Sequence, residues 1–218
     1  MRVDPDAAIS VGWTADWDVT MTRPDHEADA VAPEVSNEDL RHLDDRGLVA
    51  AFLAGRREAF DLIVERHQRN VYLLCYRFVG NQEDASDLTQ DVFVRAFKGL
   101  AKFKNQSQLS TWLYRVGVNV CLNRVAEKRP ATEPVDAVEF VDTHAEDPLR
   151  SIVQREKAVA VRRAIRQLPA KQRATLVLRI YQELSHEEIA RVLGSSVGAA
   201  KANLFHALGN LKRLLTKS

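Results

Sequence analysis

The sequence predicts an all-α protein of two small helical domains, and three observations lead there. Apolar residues recur at three- and four-residue spacing through two separate stretches, Gly80, Pro130 and Gly194 fall at the ends of periodic runs, and a strongly acidic segment divides the stretches. The 218 residues suffice for two modest cores, and a content of 45% apolar and 28% charged residues is that of a globular chain. No run approaches the roughly 20 uninterrupted apolar residues of a membrane span, and the N-terminus is acidic where a secretory signal is basic and then apolar. The expected compartment is the cytoplasm, with no membrane insertion. Cys75 and Cys121 both lie within helical apolar patterns and not in a CxxC pair, so they are expected to be buried, reduced thiols.

The net charge of +1 conceals four blocks. Residues 1–44 carry 3 basic and 11 acidic residues, 45–129 carry 14 and 9, 130–148 carry none and 6, and 149–218 carry 14 and 4. Two basic blocks on an acidic connector read as two polyanion-binding modules, although solvated helix faces give the same count. Residues 1–44 show no sustained period and are expected to be a disordered acidic tail, in which Trp13 and Trp17 share helical spacing and which a start at Met21 would shorten.

From Asp45 the pattern is helical. Phe60, Ile63, Val64, His67, Val71, Leu74, Cys75 and Phe78 form one long amphipathic helix that stops at Gly80. Asn81 caps a second helix whose buried stripe is Ala85, Leu88, Val92, Ala96 and Leu100. A polar loop follows over 101–109. Ser110 or Thr111 then caps a third helix through Trp112, Leu113, Val116, Val120 and Arg124, which ends before Pro130. Beyond the connector, helical runs over 149–168 and 170–182 are separated at Leu168-Pro169. Ser185 and Glu188 form a capping box on a short helix, and Gly194-Ser195-Ser196 turns the chain into a last helix from Val197 to about Leu214.

Three stretches resemble the sigma factors of the extracytoplasmic-function type. Asp84-Ala85-Ser86-Asp87-Leu88-Thr89-Gln90-Asp91-Val92-Phe93 is similar to the family's region 2 signature, which implies that Asp84, Asp87, Gln90, Asp91 and Phe93 bind the polymerase clamp. The spacing independently sets three carboxylates along one side of a helix in an otherwise basic domain. The run from Leu109 to Arg124 resembles the promoter-melting segment. The resemblance implies that Lys104, Asn105, Gln106, Ser110, Trp112, Arg115, Asn119 and Arg124 meet the minus-ten element, where an extruded base needs amides for its edge and cations for its backbone. Trp112, opening an amphipathic helix, reads as core at least as well as stacking platform. The family usually has Phe where Leu109 stands and Asp where Asn123 stands. The run from Leu184 to Lys201 resembles the region 4 helix-turn-helix, which implies that Ser196, Val197, Ala199, Ala200, Lys201 and Asn203 face the minus-thirty-five element. Ala202, Asn203, His206 and Leu208 stand where the family often has serine and arginines.

The resemblance implies sigma region 2 (45–129) and sigma region 4 (149–218), while the disordered acidic tail (1–44) and the acidic linker (130–148) are read from composition and lie outside the match. Its expected partners are core RNA polymerase, through the clamp of the beta-prime subunit and the flap of the beta subunit, promoter DNA, and a cognate anti-sigma factor. No enzyme activity, cofactor or metal is expected. His186 opens HEEIA and not HExxH, and no nucleotide-binding glycine motif is present. The alternatives are a helix-turn-helix regulator that does not join the polymerase, and an anti-sigma decoy that no longer binds DNA.

Overall fold

The computed structural model describes residues 37–127 and 148–216. Expectations for the tail before residue 37, for the last two residues of the first domain at 128–129, and for the connector up to residue 147 lie outside these residues. Every element among the described residues is helical, as the three- and four-residue periods require.

The chain opens with α1 (Asn37–His42) and α2 (Asp45–Leu53). Composition extends the tail through residue 44, whereas the structure buries Leu40 and has Arg66 donating to the Arg41 carbonyl at 2.8 Å. A six-residue helix with one buried leucine is too short to register against an acidic background. Asp44 caps α2 by accepting from the Gly47 N–H at 2.8 Å, and Asp45 meets His67 at 3.0 Å and Arg66 at 3.5 Å.

The periodic stretch from Asp45 is broken, not continuous. Gly55 takes φ +95°, a left-handed conformation that favours glycine, so α2 stops and α3 (Glu58–Val79) starts afresh. Phe52, Phe60 and Phe97 close that corner, with ring centroids 5.1 to 5.5 Å apart. Gly80 ends α3 at φ +81°, and Asn81 caps α4 (Gln82–Gly99) by accepting from the Asp84 N–H at 2.8 Å. Both features follow the sequence reading. A 3-10 turn at Leu100–Lys102 leads into the polar loop. Then α5 (Leu109–Glu127) starts earlier than its serine and threonine imply. The Trp112 N–H donates to the Gln108 carbonyl at 3.2 Å, and Thr111 is buried within the helix.

The second half comprises α6 (Pro148–Arg166), α7 (Ala170–Tyr181), α8 (His186–Leu193) and α9 (Val197–Thr216). Pro169 separates the first pair, and Gly194 in left-handed backbone separates the last. The capping box is present: the Glu188 carboxylate accepts from the Ser185 N–H at 2.8 Å, and the Ser185 hydroxyl accepts from the Glu188 N–H at 3.2 Å.

The two expected cores are one. Helices α6 and α7 pack on α3, and α7 and α8 pack on α5, so buried residues of both halves form a single cluster. Arg173 of α7 is the centre of this junction. Its guanidinium donates to the Phe78 carbonyl at the end of α3 at 2.7 Å, to the Leu168 carbonyl at 3.2 Å, and to the Arg166 carbonyl. Burial draws its pKa down to about 10, with the neighbouring Arg166 charge adding to the effect. Beside it, Arg77 lies over the Tyr181 ring at 4.0 Å. Gly80 leaves room for Arg166, whose Cδ would be 2.5 Å from a Cβ at that position.

Candidate nucleic-acid and protein interfaces

Three surfaces emerge from the residues singled out in the sequence. The first is on α4, where the buried stripe turns Ala85, Leu88, Val92 and Ala96 inward and so leaves Asp87, Gln90 and Asp91 exposed. Asp84 is half-buried and accepts from the Asn81 side-chain amide at 2.7 Å, which ties it to the cap at the start of the helix. Phe93 does not belong to this surface. Only 8% of it is exposed, because its position on the helix falls with Val92 and Ala96. Val94 takes its place: it is 52% exposed and lies on the same stripe as Asp87 and Asp91. The signal was in the sequence, since Val94 falls outside the buried period.

The second surface joins the loop after the 3-10 turn to one stripe of α5. Lys104, Asn105 and Gln106 are all exposed, and Asn105 holds φ +54°, a conformation asparagine tolerates better than most residues. On α5 the exposed stripe is Arg115, Asn119, Asn123 and Ala126. Ser110 and Arg124 are half-buried, and Arg124 follows Arg115 by two and a half turns, about 180° round the helix. Trp112 is half-buried and packs inward. Its ring lies 5.4 Å from that of Phe103 and 3.4 Å from a Cβ placed on Gly99, against the edge of the core.

The third surface is the start of α9. Ser196 caps the helix, its hydroxyl accepting from the Ala199 N–H at 3.1 Å, and Lys201 is exposed. The other residues expected there do not share one face. Ala200 has no exposed surface, and Val197, Ala199 and Asn203 are half-buried, with Ala199 and Asn203 on the side away from Lys201. The exposed stripe runs instead through Lys201, Phe205, Leu208 and Lys212, and Phe205 is 76% exposed. Counting by helical turn from Lys201 finds Phe205; following the matched motif to its end does not. The Glu188 carboxyl behind this helix is held below the usual range by its hydrogen bonds to the Ser185 N–H and hydroxyl.

No helix among the described residues is long and apolar enough to cross a membrane. The family model for sigma-70 region 2 matches residues 63–130, and that for sigma-70 region 4 matches residues 158–211. The RNA polymerase sigma-H factor of Pseudomonas aeruginosa is 35% identical over 75% of this chain and 89% of its own length. The sigma factor SigM of Mycobacterium tuberculosis is 37% identical over 78% of this chain and 84% of its own. The sigma-E factor of Escherichia coli is 33% identical over 76% and 91%. Among solved structures, CnrH in complex with the cytosolic domain of CnrY is similar with a TM-score of 0.60 and 25% identity, over 80% of this chain and 98% of that one.

Proposed function

From membership of the extracytoplasmic-function sigma factors, the family to which this chain belongs, we propose how its surfaces divide the work of directing RNA polymerase to a promoter. The observation that carries the assignment is the α4 stripe, where two exposed carboxylates, an amide and an exposed valine stand together on a basic domain. Such a stripe fits a basic protein partner, here the clamp of the polymerase, with Val94 as the apolar contact at its C-terminal end. The loop Lys104-Asn105-Gln106 and the α5 stripe hold the displaced strand at the minus-ten element, the amides reading a base edge and Arg115 meeting phosphate. At the minus-thirty-five element Lys201 contacts phosphate or a base edge while Phe205 offers an apolar contact for a thymine methyl. An open groove of about 350 Å³ between α6 and α9, lined by Val159, Ala160, Ala164 and Leu214, offers the flap a surface. The polymerase supplies all chemistry, so the chain acts in the cytoplasm without catalysis or cofactor of its own. A cognate anti-sigma factor is the further partner, consistent with the complex in which CnrH was solved.

The docked arrangement is a resting form. The two promoter elements lie roughly 25 base pairs apart, about 85 Å at 3.4 Å per base pair. A chain whose α8 packs directly on α5 cannot place both reading surfaces that far apart, so α6–α9 must leave α3 and α5 when the promoter is engaged. A helix-turn-helix regulator that does not join the polymerase leaves the α4 stripe and the region 2 match without a role. The test is reconstituted holoenzyme in run-off transcription, with Asp91→Lys as the variant. Affinity for core polymerase is expected to fall about tenfold, equivalent to about 1.4 kcal/mol, with helicity unchanged. Unaltered core binding would remove α4 from the interface.

A further inference from the structure

Arg173 belongs to none of the three surfaces, and its position in the sequence gives its charge no local advantage. It stands in the first turn of α7, at the positive end of the helix dipole, where a cation is disfavoured. Only 8% of it is exposed, so the charge bears a desolvation cost as well. The compensation comes from other helices. Gly80 stops α3, so no later N–H of that helix reaches the Phe78 carbonyl. The end of α6 at Arg166 likewise leaves open the carbonyls of Arg166 and, in the turn after it, of Leu168. The Arg173 guanidinium donates to all three. One cation thus caps the C-terminal ends of two helices from different halves of the chain, the placement that helix dipoles favour.

The three bonds are not equivalent. Those to Arg166 and Leu168 lie within the second half and travel with Arg173 when the halves part, whereas the bond to Phe78, at 2.7 Å, crosses the seam. The docked site is also incompletely satisfied: the Arg173 Nε–H has no acceptor among the described residues, and opening gives that donor to water. We propose that Arg173 is a releasable latch, which through its one bond to Phe78 holds the chain in the docked, resting form and stays seated on its own half when the two part. Arg77, 4.0 Å over the Tyr181 ring, is a second and weaker tie across the same seam. The inference rests on the reading that promoter engagement needs the halves apart.

The latch restrains initiation through population. Only an open molecule spans both promoter elements, so the concentration of chain that saturates the polymerase rises as the open fraction falls. Loosening the latch therefore makes the chain act at lower concentration without altering any residue that meets DNA or the clamp. The fork of the guanidinium is what the latch needs, since two of its nitrogens reach acceptors on opposite sides of the seam. A lysine in its place keeps the charge, but its single ammonium cannot serve both sides, and the Phe78 carbonyl is left buried without a donor.

The experiment compares the full chain with Arg173→Lys and Arg77→Ala, using energy transfer between probes on the loop at residues 104–106 and on α9. With helicity retained, the ratio of docked to open chain should fall about tenfold in Arg173→Lys. In Arg77→Ala it should fall about two- to fivefold. The concentration giving half-maximal run-off transcription with core polymerase should fall in the same order. Transfer unchanged in Arg173→Lys would overturn the latch and leave the packing of α8 on α5 to hold the halves. Helicity lost in Arg173→Lys together with transfer unchanged in Arg77→Ala would overturn it too, since Arg173 would then be a structural cap alone. Transfer reduced with the half-maximal concentration unmoved would overturn the restraint on initiation. Because transfer is read without polymerase, the latch is judged separately from the α4 interface, which Asp91→Lys tests with the transfer of the free chain unchanged.

Discussion

At the scale of single residues, Gly117 and Gly209 show that the same substitution changes sign with its surroundings. A Cβ at Gly117 meets Leu74 Cδ2 at 2.8 Å inside the core, whereas one at Gly209 meets nothing within 4 Å. Gly117→Ala should therefore lower stability by about 1–3 kcal/mol through overpacking. Gly209→Ala should raise it by about 0.5–1 kcal/mol by restricting the unfolded chain and favouring helix. Urea titration of both variants checks the pair, and equal shifts would show that α3 and α5 are not in close contact. Arg173 marks the limit of reading residues from sequence. A charge count places it among the cations of a basic surface, yet it is buried on three carbonyls. Nothing in its neighbours' identities announces this, since main-chain acceptors leave no trace in a sequence. Phe93 and Ala200 were misplaced for a different reason: a matched motif identifies a segment, while the helical turn decides which side chains leave it.

Among the elements, α8 and its caps were fully legible, because the serine, the glutamate three residues later and the glycine are local chemistry. Glu188 makes that cap sensitive to pH. Its folded pKa is depressed, so its contribution is fully present above the ordinary carboxylate range and is lost as pH falls through the lowered folded value. Ser185→Ala should cost about 1 kcal/mol near neutrality and less at acid pH, where the wild-type cap has itself weakened. Melting curves from pH 7 down to about 2, below the ordinary carboxylate range, test this. A constant difference between the two proteins would mean the hydroxyl acts without the carboxylate. Helix α5 was legible as a helix but not as a doubly covered one. It lies against α3 and α4 on one flank and against α7 and α8 on another, leaving only a narrow exposed stripe. An apolar period shows that a face is buried without showing what buries it.

For the whole molecule, sequence supplied the all-α class, the helix order and the two matched regions, while the union of their cores came only from the packing. Long-range association depends on shape across residues far apart in the chain, and the acidic connector reads equally well as spacer or hinge. The separation of promoter elements turns that packing into a measurable change. Fluorescent probes on the loop at residues 104–106 and on α9 should transfer energy efficiently in the free chain. The transfer should be lost in holoenzyme on promoter DNA, where the sites approach the roughly 85 Å between elements. Persistent transfer in an active complex would show that the docked form itself initiates transcription.

The hydrogen bond from Arg173 to Phe78 ends on a peptide carbonyl. No change of side chain at position 78 deletes that acceptor, and no titration within the physiological range alters it. Sequence drift along the outer surface of α3 is therefore largely silent for docking. Heritable adjustment of how tightly the halves hold together falls to side chains that reach across, among them Arg166, Arg173 and Tyr181 from one side and Arg77 from the other, and to the apolar residues where α8 meets α5.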